Sequence, residues 1–185
     1  TIGLSWVRRF VAGGHTVIVC DPRPDLADVL AALPLTESER GRVRIETDRP
    51  AALAAADLVQ ESGPEHLPFK RELLADFAEH GRPEALWFSS SSALLPSDMA
   101  ADAPDQVAAR VAIGHPFNPP HLMPLVEVVP GARTAPTALD AARAFYTELG
   151  MEPAVLMREV PGFVGNRLQK AIWAEAFGLV VDGVV

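Results

Sequence analysis

The stretch I-G-H-P-F-N-P-P-H-L-M-P-L-V-E-V-V, from Ile113 to Val129, sets the reading of the whole chain. Upstream, V-A-A-R-V-A-I reads as a strand that delivers His115; downstream, L-V-E-V-V reads as a second strand that carries Glu127. Between them, P-F-N-P-P holds too many prolines for a helix and predicts a rigid, turn-rich loop. A histidine at a strand end with a carboxylate beside it is the arrangement of a general base. The carboxylate selects the imidazole tautomer and stabilises the imidazolium that forms. Spacing leaves an alternative open, a packed core histidine and a solvated glutamate.

Outward from this stretch, strands alternate with helices. Thr1 to Ala12 reads as a helix with Leu4, Val7, Phe10 and Val11 on one face, broken by G-G-H. A short buried strand, Thr16 to Cys20, ends at Asp21-Pro22. The spacing then predicts a helix over 25–33, a loop at P-L-T-E-S-E-R-G and a strand over 43–47. Asp48 should cap a helix over 50–56, with Pro50 in its first turn. A strand over 57–61, a helix over 67–80 and a strand over 85–89 lead to the central stretch. Beyond it come a helix from about 135 to 149, capped by Thr134 or Thr137, a strand over 153–157 and a final helix from Val164 to about Val181. Strands alternating with helices in units of ~30 residues predict an α/β fold with a doubly wound, Rossmann-like parallel sheet. The final amphipathic helix has no partner helix after it and reads as the first helix of an all-α C-terminal domain. The expected division is a dinucleotide-binding domain over 1–160 and the start of the helical domain over 161–185.

Composition narrows the classes. With 185 residues, 49% of them hydrophobic, the chain can bury a substantial core, one domain or one domain plus a fragment. A net charge of −8 argues against a nucleic-acid partner and fits a soluble, cytoplasmic acidic enzyme. No apolar run approaches the ~20 residues of a membrane span, and no secretory leader is visible. Cys20, the single cysteine, excludes an intrachain disulfide and reads as a small core residue. The chain begins at Thr1 rather than Met, so the expectation is that the natural N-terminus lies upstream.

Several residues are candidates for chemistry. Gly3, a helix, a strand and then Asp21 form the back half of a G-x-G-x-x-G dinucleotide fingerprint. The first two glycines, and the strand leading into them, would precede Thr1. Gly3 would allow close helix–strand packing, and Asp21 would accept hydrogen bonds from the adenosine ribose. An acid there repels a 2′-phosphate and favours NAD over NADP, although Arg23 is placed to serve that phosphate. The serines Ser89 to Ser92 follow a predicted strand at the sheet end where ligands bind, and the alternative is a polar loop or helix cap. No G-x-S-x-G elbow is present, which argues against a serine hydrolase. Glu65 and Lys70 lie past D-L-V-Q-E-S at another carboxyl end, where a lysine taken alone is usually solvent-facing. Asn166, in P-G-F-V-G-N-R-L, sits where helix propensity disfavours it; either its side chain has a task or it bonds its own backbone. His15, His66, His80 and His121 show no metal-ligand spacing, so no metal site is expected and they read as surface or packing residues.

Taken together, S-S-S-S-A-L-L-P-S, G-H-P-F-N-P-P, P-L-V-E-V-V and P-G-F-V-G-N-R-L, in that order, resemble the 3-hydroxyacyl-CoA dehydrogenase family. The likeness runs the length of the chain. V-Q-E-S-G-P-E, N-P-P-H-L-M-P-L-V-E-V-V-P and T-A-P-T-A-L-D point to its short-chain-acid branch, that of lambda-crystallin (L-gulonate 3-dehydrogenase) and L-carnitine dehydrogenase. The resemblance implies that His115 is the catalytic base, Glu127 the carboxylate that orients it, Ser92 a contact to substrate and nicotinamide, and Asn166 a neighbour of the substrate oxygen. It implies that Gly3, Asp21, Glu65, Lys70 and Ser92 bind or line the NAD site, and that a homodimer forms through the helical domain. The implied reaction is hydride transfer from the carbinol carbon of an L-3-hydroxy acid to NAD.

Three differences from the family bear on this reading. The leading strand and first two glycines are absent, the helical half stops after one helix, and Asp21 to Val43 is short. Acyl-CoA members carry a long helical insert at that last place, so its brevity leans toward a free hydroxy acid over a CoA thioester. Two alternatives remain, a short-chain 3-hydroxyacyl-CoA dehydrogenase and a non-catalytic, crystallin-like dinucleotide-binding protein. The second has no need for His115, Glu127, Ser92 and Asn166 together. A 2-methyl-3-hydroxy acid or imine-type dehydrogenase with a catalytic lysine fits less well. Lys170 follows Asn166 by a helical turn, whereas that family places its lysine a turn before, where this chain has Gly162.

Overall fold

Helix α1 (Ile2–Ala12) opens the structure, a computed structural model that describes residues 2–185. Trp6, Val7, Phe10 and Val11 are its buried apolar face, at the spacing of an amphipathic helix. Gly14, at φ +86°, turns the chain into β1 (Val17–Val19), a backbone state open to glycine at little cost. β1 pairs in parallel with β2 (Val43–Ile45). Between them lie α2 (Leu26–Ala31) and α3 (Glu37–Arg40). The second occupies the expected loop. Thr36 accepts from the Glu39 amide while the Glu39 carboxylate accepts from the Thr36 amide, a capping box. Its T-x-x-E signal was present in the sequence. Helix α4 (Arg49–Ala55) is capped as expected, with Asp48 accepting from the Ala51 amide at 3.3 Å.

The main sheet runs β3 (Leu58–Glu61), β4 (Leu86–Ser89), β5 (Val111–Pro116), β6 (Leu125–Pro130), β7 (Glu152–Val155) in spatial order, separate from the β1–β2 pair. Helix α5 (Leu67–His80) crosses from β3 to β4, and the short helices α6 (Pro96–Met99) and α7 (Asp105–Ala108) precede β5. These three strands are parallel. β6 runs antiparallel to β5, and β7 is parallel to β6 across helix α8 (Pro136–Glu148). The sheet is therefore mixed where a parallel one was expected. The reason is length: only Phe117 to Pro124 joins β5 to β6, whereas a parallel crossover needs about a dozen residues or more. Neither Thr134 nor Thr137 caps α8, whose N-cap is Ala135 with no side-chain bond. The Thr134 hydroxyl instead accepts from the Gly131 amide at 2.8 Å and donates to the Val111 carbonyl at 2.5 Å, tying the end of β6 to the start of β5.

Both faces of the sheet are covered, as in a doubly wound fold. Trp6, Phe10, Phe88, Val126, Val128 and Tyr146 pack on one side. Leu53, Leu74, Phe77, Trp87, Val107 and Val111 pack on the other. Neighbours Trp87 and Phe88 enter opposite layers, the period of two that a strand imposes. Cys20 is exposed at the end of β1 rather than in the core, because the strand stops at Val19. Helix α9 (Gly165–Val181) has no buried residue. Leu168, Ile172, Trp173, Phe177 and Val181 leave an apolar stripe exposed along it.

Tyr146 reaches from α8 across the sheet to Gly114, where a Cβ would overlap its hydroxyl. That hydroxyl donates to Gln60 Oε1 at 2.6 Å, and Gln60 Nε2 in turn reaches the Gly114 carbonyl at 3.3 Å. Burial pushes the Tyr146 phenol far above its ordinary pKa, so it stays a donor. Gly114→Ala should therefore destabilise the protein by ~1–3 kcal/mol, the range for overpacking a core. Chemical denaturation reads this directly; an unchanged midpoint would mean that α8 yields without cost.

Candidate active site

The register of the antiparallel pair places His115 directly opposite Glu127. Directly opposed side chains share a sheet face and meet, which the twelve-residue spacing alone did not determine. His115 Nδ1 lies 2.9 Å from Glu127 Oε2. A carboxylate only accepts, so Nδ1 is the donor, and in the neutral ring the lone pair lies on Nε2. His115 is 6% exposed and Glu127 3%. The imidazole stands between two rings, Phe117 at 5.6 Å and Phe163 at 5.5 Å centroid to centroid.

The other Glu127 oxygen, Oε1, accepts from the amides of Val164 and Gly165, each at 2.9 Å. These amides open α9, where unpaired N–H groups and the helix dipole favour negative charge. Burial pushes the Glu127 carboxyl up. The His115 hydrogen bond and the two amides outweigh it, and the net shift is down. The chain reaches this geometry through Gly162 at φ +75° and Phe163 at φ +50°. A left-handed phenylalanine costs about 1–2 kcal/mol; the Phe163 ring, fully buried with Met99, Ile113 and Val129, holds it there. Gly165 has no room for a Cβ, which would overlap the Phe117 ring.

Asn166 does not bond its own backbone. Its Nδ2 donates to the Ser92 carbonyl at 2.8 Å, tying the first turn of α9 to the serine run. The four serines divide by role. Ser89 is buried and donates to Glu61 Oε2 at 2.5 Å. Ser90 gathers Trp6 Nε1 at 3.0 Å, Gln60 Nε2 at 2.9 Å and the Ser62 hydroxyl at 3.0 Å. Ser91 is buried and donates to Glu65. Ser92 alone is exposed.

Glu65 Oε1 also accepts from the amides of Ala93 and Leu94 at 3.0 and 3.2 Å, so its carboxylate shapes the serine turn. Burial raises its pKa, but the Ser91 hydroxyl, the two amides and the nearby Lys70 charge bring it below its ordinary value. Lys70 is not solvent-facing. It is 2% exposed, and its ammonium lies 2.7 Å from Glu61 Oε2 and 3.9 Å from Glu65. Glu61, buried at the end of β3, also accepts from the Gly63 amide at 2.5 Å. Sequence reasoning missed Glu61 and the rings of Phe117 and Phe163. A glutamate closing a strand nine residues before a lysine was a signal for the first; nothing in the sequence marks the left-handed Phe163.

In the separate β1–β2 pair, Asp21 is exposed just past the carboxyl end of β1. Its Oδ1 accepts from the Arg23 amide at 2.9 Å, which leaves the second oxygen for a diol. Gly3 lies in the first turn of α1 beside Ser62. A Cβ there would sit 3.7 Å from the Ser62 Cβ, an ordinary contact, so close helix–strand packing does not demand glycine. An exposed carboxylate after β1 and polar groups at the ends of β3 and β4 suit a dinucleotide. The histidines outside the couple serve packing or local contacts: His15 packs on Phe145, and His121 Nδ1 lies 3.1 Å from the Ser5 hydroxyl. No group of three His, Cys, Asp or Glu among the described residues is arranged to hold a metal. No helix among them is long and apolar enough to cross a membrane.

A sheet covered on both faces, with polar groups gathered at the carboxyl ends of its parallel strands, defines a Rossmann-like nucleotide-binding domain. The family model described as 3-hydroxyacyl-CoA dehydrogenase, NAD binding domain, matches residues 31–160, and the chain belongs to that family. Its cofactor is NAD. An L-carnitine dehydrogenase of a Pseudomonas species is 41% identical over 197 aligned positions, covering 99% of this chain and 60% of that protein. A 3-hydroxyacyl-CoA dehydrogenase of Gibberella moniliformis is 42% identical over 199, covering 100% and 60%. The chain thus spans about 60% of the length of these relatives. Among solved structures, 3-hydroxybutyryl-CoA dehydrogenase of Escherichia coli matches all of this chain and 42% of its own, with a TM-score of 0.89 at 30% identity.

The burial of Lys70 generates a test. Lys70→Met leaves the Glu61 carboxylate buried without its cation, and breaking one side of a buried pair costs about 3–5 kcal/mol. Thermal or denaturant unfolding should show that loss. Full stability with weakened NADH binding would instead place Lys70 on the cofactor.

Proposed function

We propose that the protein oxidises an L-3-hydroxy acid with NAD, or reduces the 3-keto acid, using His115 as general base. The observation that carries this is the buried His115–Glu127 couple, with Nδ1 engaged and Nε2 left to accept a proton. When bound, NAD would supply the acceptor for the hydride that leaves the carbinol carbon. As the hydride leaves, His115 Nε2 takes the hydroxyl proton, and Glu127 stabilises the imidazolium across the 2.9 Å contact. Glu127 stays ionised for that task because two amides and the ring hold its carboxyl low. Ser92 and Asn166, joined through the Ser92 carbonyl, would flank the substrate oxygen as it becomes a carbonyl, an electrostatic and positional role. Asp21 would receive the adenosine ribose, and the backbone at Gly3 the pyrophosphate. Glu65 contributes by shaping the serine turn, and Lys70 by anchoring Glu61 beneath it.

The free-acid reading is favoured by the L-carnitine dehydrogenase relatives and by the short connection from Asp21 to Val43, which holds only α2 and α3. A short-chain CoA thioester is the second reading, favoured by the Gibberella and Escherichia coli relatives. Division at residue 160, and a homodimer formed through the helical region, are parts of the same proposal. The exposed stripe on α9 supports both.

The test is NADH formation by the complete polypeptide on matched panels of free L-3-hydroxy acids and their CoA thioesters. Turnover with free acids alone is expected. Turnover with thioesters alone would move the protein to the acyl-CoA reading, and silence on both with NADH still bound would favour a non-catalytic role. In the active case, His115→Gln should lower turnover by ~10²–10⁴-fold, the usual worth of a positioned base, and leave NADH affinity unchanged.

A further inference from the structure

The chain reads D-P-R-P-D from Asp21 to Asp25, at the carboxyl end of β1. Each proline fixes its own φ and restricts the residue before it to extended backbone. Asp21 and Arg23 each precede a proline, and a turn at Pro24 and Asp25 brings the Asp25 side chain back to Arg23. The Arg23 amide donates to Asp21 Oδ1 at 2.9 Å, and its guanidinium donates from Nε and Nη2 to the two oxygens of Asp25, at 2.7 and 3.0 Å. That fork is the two-pronged match of guanidinium to carboxylate, which a phosphate would otherwise receive.

Asp25 also gives up a local task. It is the N-cap of α2, a position where an aspartate side chain ordinarily accepts from the helix's first amides. Here it makes no cap bond; both oxygens face back to Arg23. Arg23 is also the sole cation between Asp21 and Asp28, among three carboxylates.

We infer that Asp25 is a specificity residue for the cofactor. By holding the Arg23 guanidinium, it withholds the cation placed to meet a ribose 2′-phosphate and leaves Asp21 to receive the 2′-hydroxyl. The inference rests on Asp21 facing the adenosine ribose. Discrimination here is by subtraction: an arginine that would accept NADP is present and is neutralised by its neighbour.

Fluorescence titration of the complete polypeptide with NADH and NADPH tests this without measuring turnover. Asp25→Asn should raise NADPH affinity by about tenfold, the scale of one charge-assisted hydrogen bond gained, while NADH affinity stays as it was. Arg23→Ala should leave NADPH affinity at the unsubstituted level, and the gain should vanish in the Asp25→Asn/Arg23→Ala double variant. A gain that survives in the double variant overturns the inference, as does Arg23→Ala weakening NADPH in the otherwise unaltered protein. Asp21→Ala separates the two layers. If it weakens NADH while Asp25→Asn gains nothing for NADPH, the Asp25 inference alone fails. If it leaves NADH affinity intact, the ribose reading fails and the inference with it.

Discussion

The Glu127 carboxylate is the point on which the rest of the site depends. It is a buried anion, and removing a carboxylate from water costs several kcal/mol unless donors replace the water. Three do: the His115 ring on one oxygen, and the Val164 and Gly165 amides on the other. Hydrogen bonds to a charged group contribute about 1.5–3 kcal/mol each, enough together to hold the ion in place. The same three bonds join the sheet to α9. One carboxylate therefore fixes the tautomer of His115 and the departure of the helix that carries Asn166.

A buried ion pair works alongside it. Lys70 and Glu61 lie beneath the serine run, and Glu65 above them holds the turn from Ser91 to Leu94. Both side chains of the pair are buried. Their contribution is to rigidity: Glu61 grips the Gly63 amide and Ser89 hydroxyl, so the ends of β3 and β4 stay in register where Ser92 emerges. A site held by buried charges in this way is stiff, which suits positioning of a base and an oxygen within hydrogen-bond reach.

Most of the fold was legible, because helix and strand periods are strong in this chain. Helix 67–80 was readable to the residue, and Asp48 was readable as a cap. The direction of β6 was missed although the length of its connection determines it. The alternation of strands and helices elsewhere made a parallel arrangement look general. The His115–Glu127 couple was legible as a pair of residue types, but only strand register decides that they face each other. Lys70 is buried where a lone lysine is usually solvent-facing, and Cys20 is exposed where a core place was expected, for a shared reason. Burial depends on where a strand or helix stops and what packs over it, and composition alone does not specify either. Left-handed Phe163, which sets the path into α9, leaves no mark in the sequence because its cause is the pocket that receives its ring.

Glu127 fixes the His115 proton on Nδ1, and nitrogen-15 NMR of the histidine rings, with His115 assigned by substitution, reads that position. The expected spectrum has the His115 proton on Nδ1, shifted downfield by its carboxylate partner. A ring protonated on Nε2 instead, or a His115 signal that ignores Glu127→Gln, would contradict it.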